Sequence, residues 1–220
     1  VVGAPWNYQS HSNAGVVWSA QALSAAGAAI PASKLPAIQI AAIAACDATD
    51  GLVDGLIEEP NKCAFEPASL RCTTADGDDC LTGPQVASLE KLYSGPTHPR
   101  TGASIFPGWA LGSERGWERW VVADGVTNLG WTYFSNLVFE DPNWDYRTFD
   151  FDADLAFAES KVGLHADAVD TDLSAAKQRG VKILQYHGWN DQTLQPGYSP
   201  IYYERVAAEM GGLDETLDFY

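Results

Sequence analysis

The chain has 220 residues with 13 basic and 29 acidic side chains, and its net charge of −16 sets it against polyanionic partners such as nucleic acid or an anionic membrane surface. A content of 46% hydrophobic and 19% charged residues suffices for an ordinary core and excludes a disordered composition. No stretch reaches the roughly 18 uninterrupted apolar residues of a membrane span, because Pro31, Lys34 and Pro36 break the most apolar region, Ala14 to Cys46.

Val1-Val2-Gly3-Ala4-Pro5 reads as the end of a buried strand leaving a sheet, since a β-branched pair runs into Gly and Pro. Ala14 to Ala26 is Ala-rich and reads as a helix. Pro36 to Cys46 reads as a second, with Pro near its start and apolar spacing at Ile38, Ile40 and Ile43. An irregular acidic segment bounded by cysteines follows. Thr82-Gly83-Pro84-Gln85 has the form of a capping box with Pro in the first turn, opening a helix that ends near Ser94-Gly95-Pro96. From His98 to Asp154 no period is sustained, and irregular chain packed by aromatic side chains is expected.

Asp170-Thr171-Asp172 caps a short helix that Gly180 ends, and Val181 to Tyr186 reads as a buried strand. Ser199-Pro200 opens a further helix with Tyr202, Val206 and Met210 on one face and Gly211-Gly212 as its stop. The alternation over Thr216 to Tyr220 reads as a strand cut short. Strand, helix, strand is an α/β unit. The expected layout is α/β: residues 1–5 end one strand, residues 6–180 form a long insertion, and residues 181–220 return to the sheet. So long a connection must carry its own core. With no initiator Met and no secretory pattern at Val1, both ends read as cuts through a larger protein.

The four cysteines, Cys46, Cys63, Cys72 and Cys80, nowhere form C-x-x-C, which disfavours a zinc ribbon or redox motif and favours disulfides. Of the three connectivities, the sequential one closes two short separate loops and is the one expected. Disulfides point to an oxidising compartment, hence a secreted, extracellular or periplasmic protein.

Asp191 follows the late strand within His187-Gly188-Trp189-Asn190-Asp191-Gln192, where open α/β sheets assemble their sites, and is the foremost catalytic candidate. In an α/β-hydrolase it would be the triad acid; a turn or cap aspartate is the plainer reading. No G-x-S-x-G nucleophile elbow occurs: Ser113 lies in Gly112-Ser113-Glu114-Arg115-Gly116, with Leu111 where the first glycine would be needed. Of the histidines, His11, His98 and His165 fall in the insertion. His187 stands only four residues before Asp191 and reads as a satisfied structural histidine.

Between Cys46 and Ile57, Asp47, Asp50 and Asp54 are spaced around Gly51 and Gly55. Their carboxylates, with the carbonyls of Leu52 and Leu56 and water, could complete the six to eight oxygen ligands that Ca2+ takes; a solvated acidic loop is the alternative. Glu58, Glu59, Asp76, Asp78 and Asp79 read as surface charge. Trp109, Trp117, Trp120, Trp131, Tyr133 and Phe134 could line a pocket for an aromatic substrate, with core packing the stronger reading for each.

Taken together, Val2-Gly3-Ala4-Pro5, the acidic run from Cys46 to Cys63, Leu81-Thr82-Gly83-Pro84-Gln85, Phe139-Glu140-Asp141-Pro142-Asn143-Trp144-Asp145-Tyr146 and Leu184 to Asp191 resemble the tannase and feruloyl esterase family. These are secreted serine esterases with an α/β-hydrolase domain and a large inserted lid. The resemblance implies that Asp191 is the triad acid, that Asp47, Asp50, Leu52, Asp54 and Leu56 hold a structural Ca2+, and that Cys46 pairs with Cys63 and Cys72 with Cys80. It also implies hydrolysis of esters of aromatic acids such as gallate or ferulate. The family's Cys-Ser and His-Cys pairs are absent from these residues, so the nucleophile and base are expected on the remainder of a parent enzyme, and the isolated chain is expected to be inactive. A stand-alone calcium-stabilised module binding carbohydrate or polyphenol is the alternative from another class.

Overall fold

The computed structural model describes residues 1–122 and 129–220. The expected irregular stretch from His98 to Asp154 includes residues 123–128, which lie outside the described residues.

The two ends of the chain meet in one parallel ladder. β1 (Val2–Gly3) pairs with β2 (Gln185–Tyr186) in the register Val2 with Gln185 and Gly3 with Tyr186. The Val2 amide donates to the Leu184 carbonyl at 2.8 Å and the Ala4 amide to the Tyr186 carbonyl at 2.9 Å. Residues 4–184 are therefore one long connection between neighbouring parallel strands.

At the centre of that connection runs α1 (Gln9–Ser24), whose small side chains let neighbours approach on several sides. Ala14, Val17 and Ala20 are buried, and a Cβ added to Gly130 would lie 2.8 Å from the Asn13 carbonyl oxygen. Its polar groups find partners inside the fold: Trp109 Nε1 donates to Ser19 Oγ at 3.0 Å, and the Ala22 carbonyl accepts from Ser88 Oγ at 3.0 Å. α1 starts five residues before the expected Ala14 because a remote group caps it: the Ser10 amide donates to Asp167 Oδ1 at 3.0 Å.

α2 (Leu35–Cys46) carries Pro36 in its first turn, as expected. Its buried face is Leu35, Ile38, Ala42 and Cys46, whereas Ile40 is exposed, so the isoleucine stripe read from the sequence is corrected. The disulfides are Cys46–Cys63 and Cys72–Cys80, the sequential pairing. α3 (Gly83–Ser94) has both halves of the capping box: the Gln85 amide donates to Thr82 Oγ1 and the Thr82 amide to Gln85 Oε1. Val86, Leu89 and Leu92 of α3 pack with Ile30, Leu35, Ile38, Trp109 and Trp117.

α4 (Leu129–Thr132) runs into a π-helical turn, Tyr133–Val138, within an aromatic core. Phe134 and Phe149 are 4.5 Å apart between ring centroids, and Phe149 and Phe151 4.9 Å. α5 (Ala153–Ala158), a second π turn at Glu159–Gly163 and α6 (Leu164–Ala166) form a helical run not foreseen from the sequence. Asp150 initiates it, accepting at Oδ1 from the amides of Asp152 (2.7 Å) and Ala153 (2.9 Å). α7 (Ser174–Gln178) follows Asp172, whose Oδ1 accepts from the Ser174 amide at 2.9 Å, and Gly180 closes the segment at φ +72°.

Two strand expectations are corrected. Of Val181 to Tyr186, only the last two residues are strand, and Leu184 and Tyr186 are each 64% exposed. Val1 and Val2 are exposed as well. The ladder has two strands, and among the described residues no further layer covers these side chains. α8 (Tyr198–Glu209) forms as expected. The strand expected at Thr216 to Tyr220 is instead α9 (Leu213–Leu217), with Asp214 and Glu215 favouring its positive N-terminal end. Beyond it the Phe219 carbonyl accepts from the Ile183 amide at 2.6 Å without extending the ladder.

Candidate active site

The parallel ladder aims the chain at Asp191. β2 ends at Tyr186, the Asp191 amide donates to the Gly188 carbonyl at 3.1 Å to close a turn, and α8 begins seven residues beyond. The carboxylate is held on both oxygens. Oδ1 accepts from the amides of Thr193 (2.8 Å) and Leu194 (3.0 Å), and Oδ2 lies 3.2 Å from His187 Nε2. Because a carboxylate only accepts, the network assigns the imidazole proton to Nε2, and Nδ1 accepts from the Ser199 hydroxyl at 2.7 Å.

Ser199, His187 and Asp191 are the three residue types of a hydrolytic triad, yet this array is arranged for support. Ser199 is 6% exposed, on the first turn of α8, and the imidazole presents Nδ1 to the serine and Nε2 to the acid, the reverse of a charge-orienting trio. His187 is the satisfied histidine expected from the sequence, with the addition that one of its partners is Asp191. The two residues share one turn at i, i+4, which is the sequence signal for the pairing.

Gln192 and Gln195, not singled out from the sequence, flank the two amides that hold Asp191. Gln195 is buried, and Ser12 Oγ donates to its Oε1 at 3.4 Å. Gln192 and Thr193 border a small crevice with Val16, Trp109, Trp120 and Leu129. Of the six aromatic candidates, Trp109, Trp117, Tyr133 and Phe134 are buried in the core, Trp131 is half-buried, and Trp120 is 37% exposed. Only Trp109 and Trp120 border that crevice.

The acidic loop is exposed and folded on its own carboxylates. Asp47 Oδ1 accepts from the amides of Asp54 and Gly55, each at 3.0 Å; Asp50 Oδ1 accepts from the Leu52 amide at 2.8 Å, and Asp54 Oδ1 from the Leu56 amide at 3.1 Å. Gly51 (φ +93°) and Gly55 (φ +83°) take the left-handed turns that fold it. Among the described residues, the trio of His, Cys, Asp or Glu ligand atoms lying mutually within 4.8 Å is Cys72, Asp76 and Cys80, and there the two sulfurs are joined in a disulfide. Asp47, Asp50 and Asp54 thus share a loop without converging as a trio. A cleft of 380 Å³ runs along β2, His187, Ser199 and Tyr220, where burial pushes the Tyr220 phenol up to about 12.

The sequence profile described as "Tannase and feruloyl esterase" matches residues 2–220. The chain belongs to the tannase and feruloyl esterase family. An uncharacterized esterase of Xanthomonas campestris pv. campestris is 35% identical over 226 aligned residues, covering 94% of this chain and 39% of that protein. A probable feruloyl esterase B-1 of Aspergillus flavus is 33% identical, covering 80% of this chain and 33% of that protein. The crystal structure of feruloyl esterase B from Aspergillus oryzae superposes with a TM-score of 0.85 at 27% identity, over 98% of this chain and 43% of that one. This tannase and feruloyl esterase family chain therefore spans well under half the length of these relatives. Its predominantly helical fold with a small parallel ladder is compatible with an α/β-hydrolase-like architecture.

Proposed function

We propose that the chain is the lid and acid-bearing part of a serine esterase that hydrolyses esters of aromatic acids, of the feruloyl or galloyl type. Residues 1–5 and 181–220 are then sheet-side elements of an α/β-hydrolase domain, and residues 6–180 the inserted lid. The pairing of β1 with β2 supports this division, because it leaves the intervening residues as a connection with its own core.

The reading is carried by Asp191, a carboxylate fixed on the turn directly after a parallel strand, in a chain matched by the family over residues 2–220. Asp191 acts as triad acid. It accepts a hydrogen bond from a histidine on polypeptide outside these 220 residues, keeps that imidazole in the tautomer able to take the nucleophile's proton, and stabilises the imidazolium that forms. The nucleophilic serine, also outside, attacks the ester carbonyl. Donors near it hold the oxyanion, and the acyl-enzyme is then hydrolysed. The 220 residues alone lack nucleophile and base and are inactive in this reading.

The acidic loop offers only oxygen ligands, the set that suits a hard divalent cation. Asp47, Asp50 and Asp54 would hold Ca2+ through their carboxylates, and Leu52 and Leu56 through their carbonyls; the ion would neutralise the loop and brace it. Two disulfides support a site of action in an oxidising compartment, secreted or periplasmic. The partners are a small aromatic ester and the remainder of the polypeptide, and the net charge of −16 opposes nucleic acid and anionic membranes.

The test is Asp191→Ala in the full-length polypeptide, assayed on methyl ferulate and methyl gallate. A fall in kcat of about 10³- to 10⁴-fold is expected. Near-normal turnover on both esters overturns the assignment.

A further inference from the structure

The residues flanking Asp191's two amide donors touch the helical connection in a particular way. A Cβ placed on Gly116 would lie 2.7 Å from Gln192 Cγ and closer still to the amide group of that side chain. A Cβ placed on Gly15 would lie 2.7 Å from Gln195 Nε2. Neither glycine has a positive φ, so the backbone does not demand glycine at either position. Gly15 moreover lies inside α1, where glycine weakens a helix relative to alanine. At each place a glutamine side chain lies across the bare backbone and would have to shift if the glycine gained a Cβ.

We infer that Gln192 and Gln195 are positioning residues for Asp191, which lock the acid turn to the helical connection through the cradles left by Gly116 and Gly15. This rests on the reading of Asp191 as triad acid. Thr193 and Leu194, whose amides hold Asp191 Oδ1, stand between the two glutamines, so the turn is pinned on both sides of the groups that orient the carboxylate. Gln195 is fixed further by the Ser12 hydroxyl of α1. Gln192 lies over the tight turn Glu114–Gly116, which leads into the fully buried Trp117. The lid is thereby part of the apparatus that aligns the triad.

The experiment is a double-mutant cycle in the full-length polypeptide with methyl ferulate as substrate: Gln192→Ala, Gly116→Ala and the pair, with Asp191→Ala in parallel. Gln192→Ala is expected to lower kcat about fivefold to tenfold with KM held within about twofold. It should also move the acid limb of the kcat/KM profile to lower pH, since a misaligned Asp191 raises the histidine pKa less. Gly116→Ala should cost about tenfold in the parent background and nothing measurable when Gln192 is already truncated. Loss of folded protein alone would leave the acid limb in place.

Gln192→Ala with parent kcat and an unmoved limb overturns the proposal, as does an equal cost of Gly116→Ala in both backgrounds. Should Gly116→Ala fail to fold, Gln192→Ala decides by the same two readouts. If Asp191→Ala itself retains turnover, the underlying assignment has failed, and that outcome is distinct from a silent Gln192→Ala beside an inactive Asp191→Ala.

Discussion

His187 and Asp191 are joined by a 3.2 Å contact between Nε2 and Oδ2, and the same imidazole takes the Ser199 hydroxyl at Nδ1. One buried ring thus ties the acid turn to the first turn of α8. His187→Ala strands the serine hydroxyl and opens a void, at a cost of about 1–3 kcal/mol by urea unfolding. Asn190→Ala, an exposed substitution on the same turn, should stay within about 0.5 kcal/mol.

Lys34 is a buried cation with three acceptors: Asp76, the Cys80 carbonyl at 2.7 Å and Gln85 Oε1 at 3.0 Å. Asp76 is thus more than the surface charge read from the sequence. It arrives on the loop closed by Cys72–Cys80, and removing it leaves a buried ammonium without its counter-charge. The Asp76 side chain is 58% exposed, so Asp76→Asn is expected to cost about 1–2 kcal/mol, less than the loss of a fully buried partner. Thermal unfolding measures it.

Glu114 is fully buried. Its Oε1 accepts from the Tyr93 hydroxyl at 2.8 Å and the Gly112 amide at 2.9 Å, while among the described residues Oε2 has no hydrogen-bond partner. Burial raises its pKa, the hydrogen bonds from Tyr93 and Gly112 opposing the shift. The folded state therefore binds the proton more tightly than the unfolded state. Its contribution to stability is present below the ordinary glutamate pKa and is lost as pH rises through the raised value. Stability of Glu114→Gln, measured by denaturant melts against pH, should gain on the parent chain across that window; a gap independent of pH would count against the assignment.

Removal of Ca2+ is expected to lower the melting temperature, because a ligand bound only by the folded state raises its stability by about 2.7 kcal/mol when present at a hundred times its Kd. Chelation followed by calcium add-back, with elemental analysis, checks this. Asp47→Ala should abolish the calcium-dependent part of the melting temperature. A chelator-insensitive melt with no metal bound would remove the loop from the reading.

α3 was readable because its signal is local: Thr82, Pro84 and Gln85 satisfy one another within a single turn. The helical run from Ala153 was also present in the chain, in the cap at Asp150 and the spacing of Leu155, Ala158 and Val162, but the aromatic density around it obscured the period. The strand expected near Tyr220 arose from alternation alone, and the acidic first turn after Gly212 was the competing signal that prevailed.

The amino-acid order by itself determined the proline-led start of α2, the capping box of α3, the glycine stop at Gly180, the acidic loop around Gly51 and Gly55, and the place of Asp191 after a strand. Each is set by groups a few residues apart. Tertiary structure alone decided the start of α1, the pairing of Val2 with Gln185, the burial of Lys34 beside Asp76 and the seating of Gln192 against Gly116. Those depend on atoms far apart along the chain that touch only after the helical core has closed, and no local propensity records a partner at that distance.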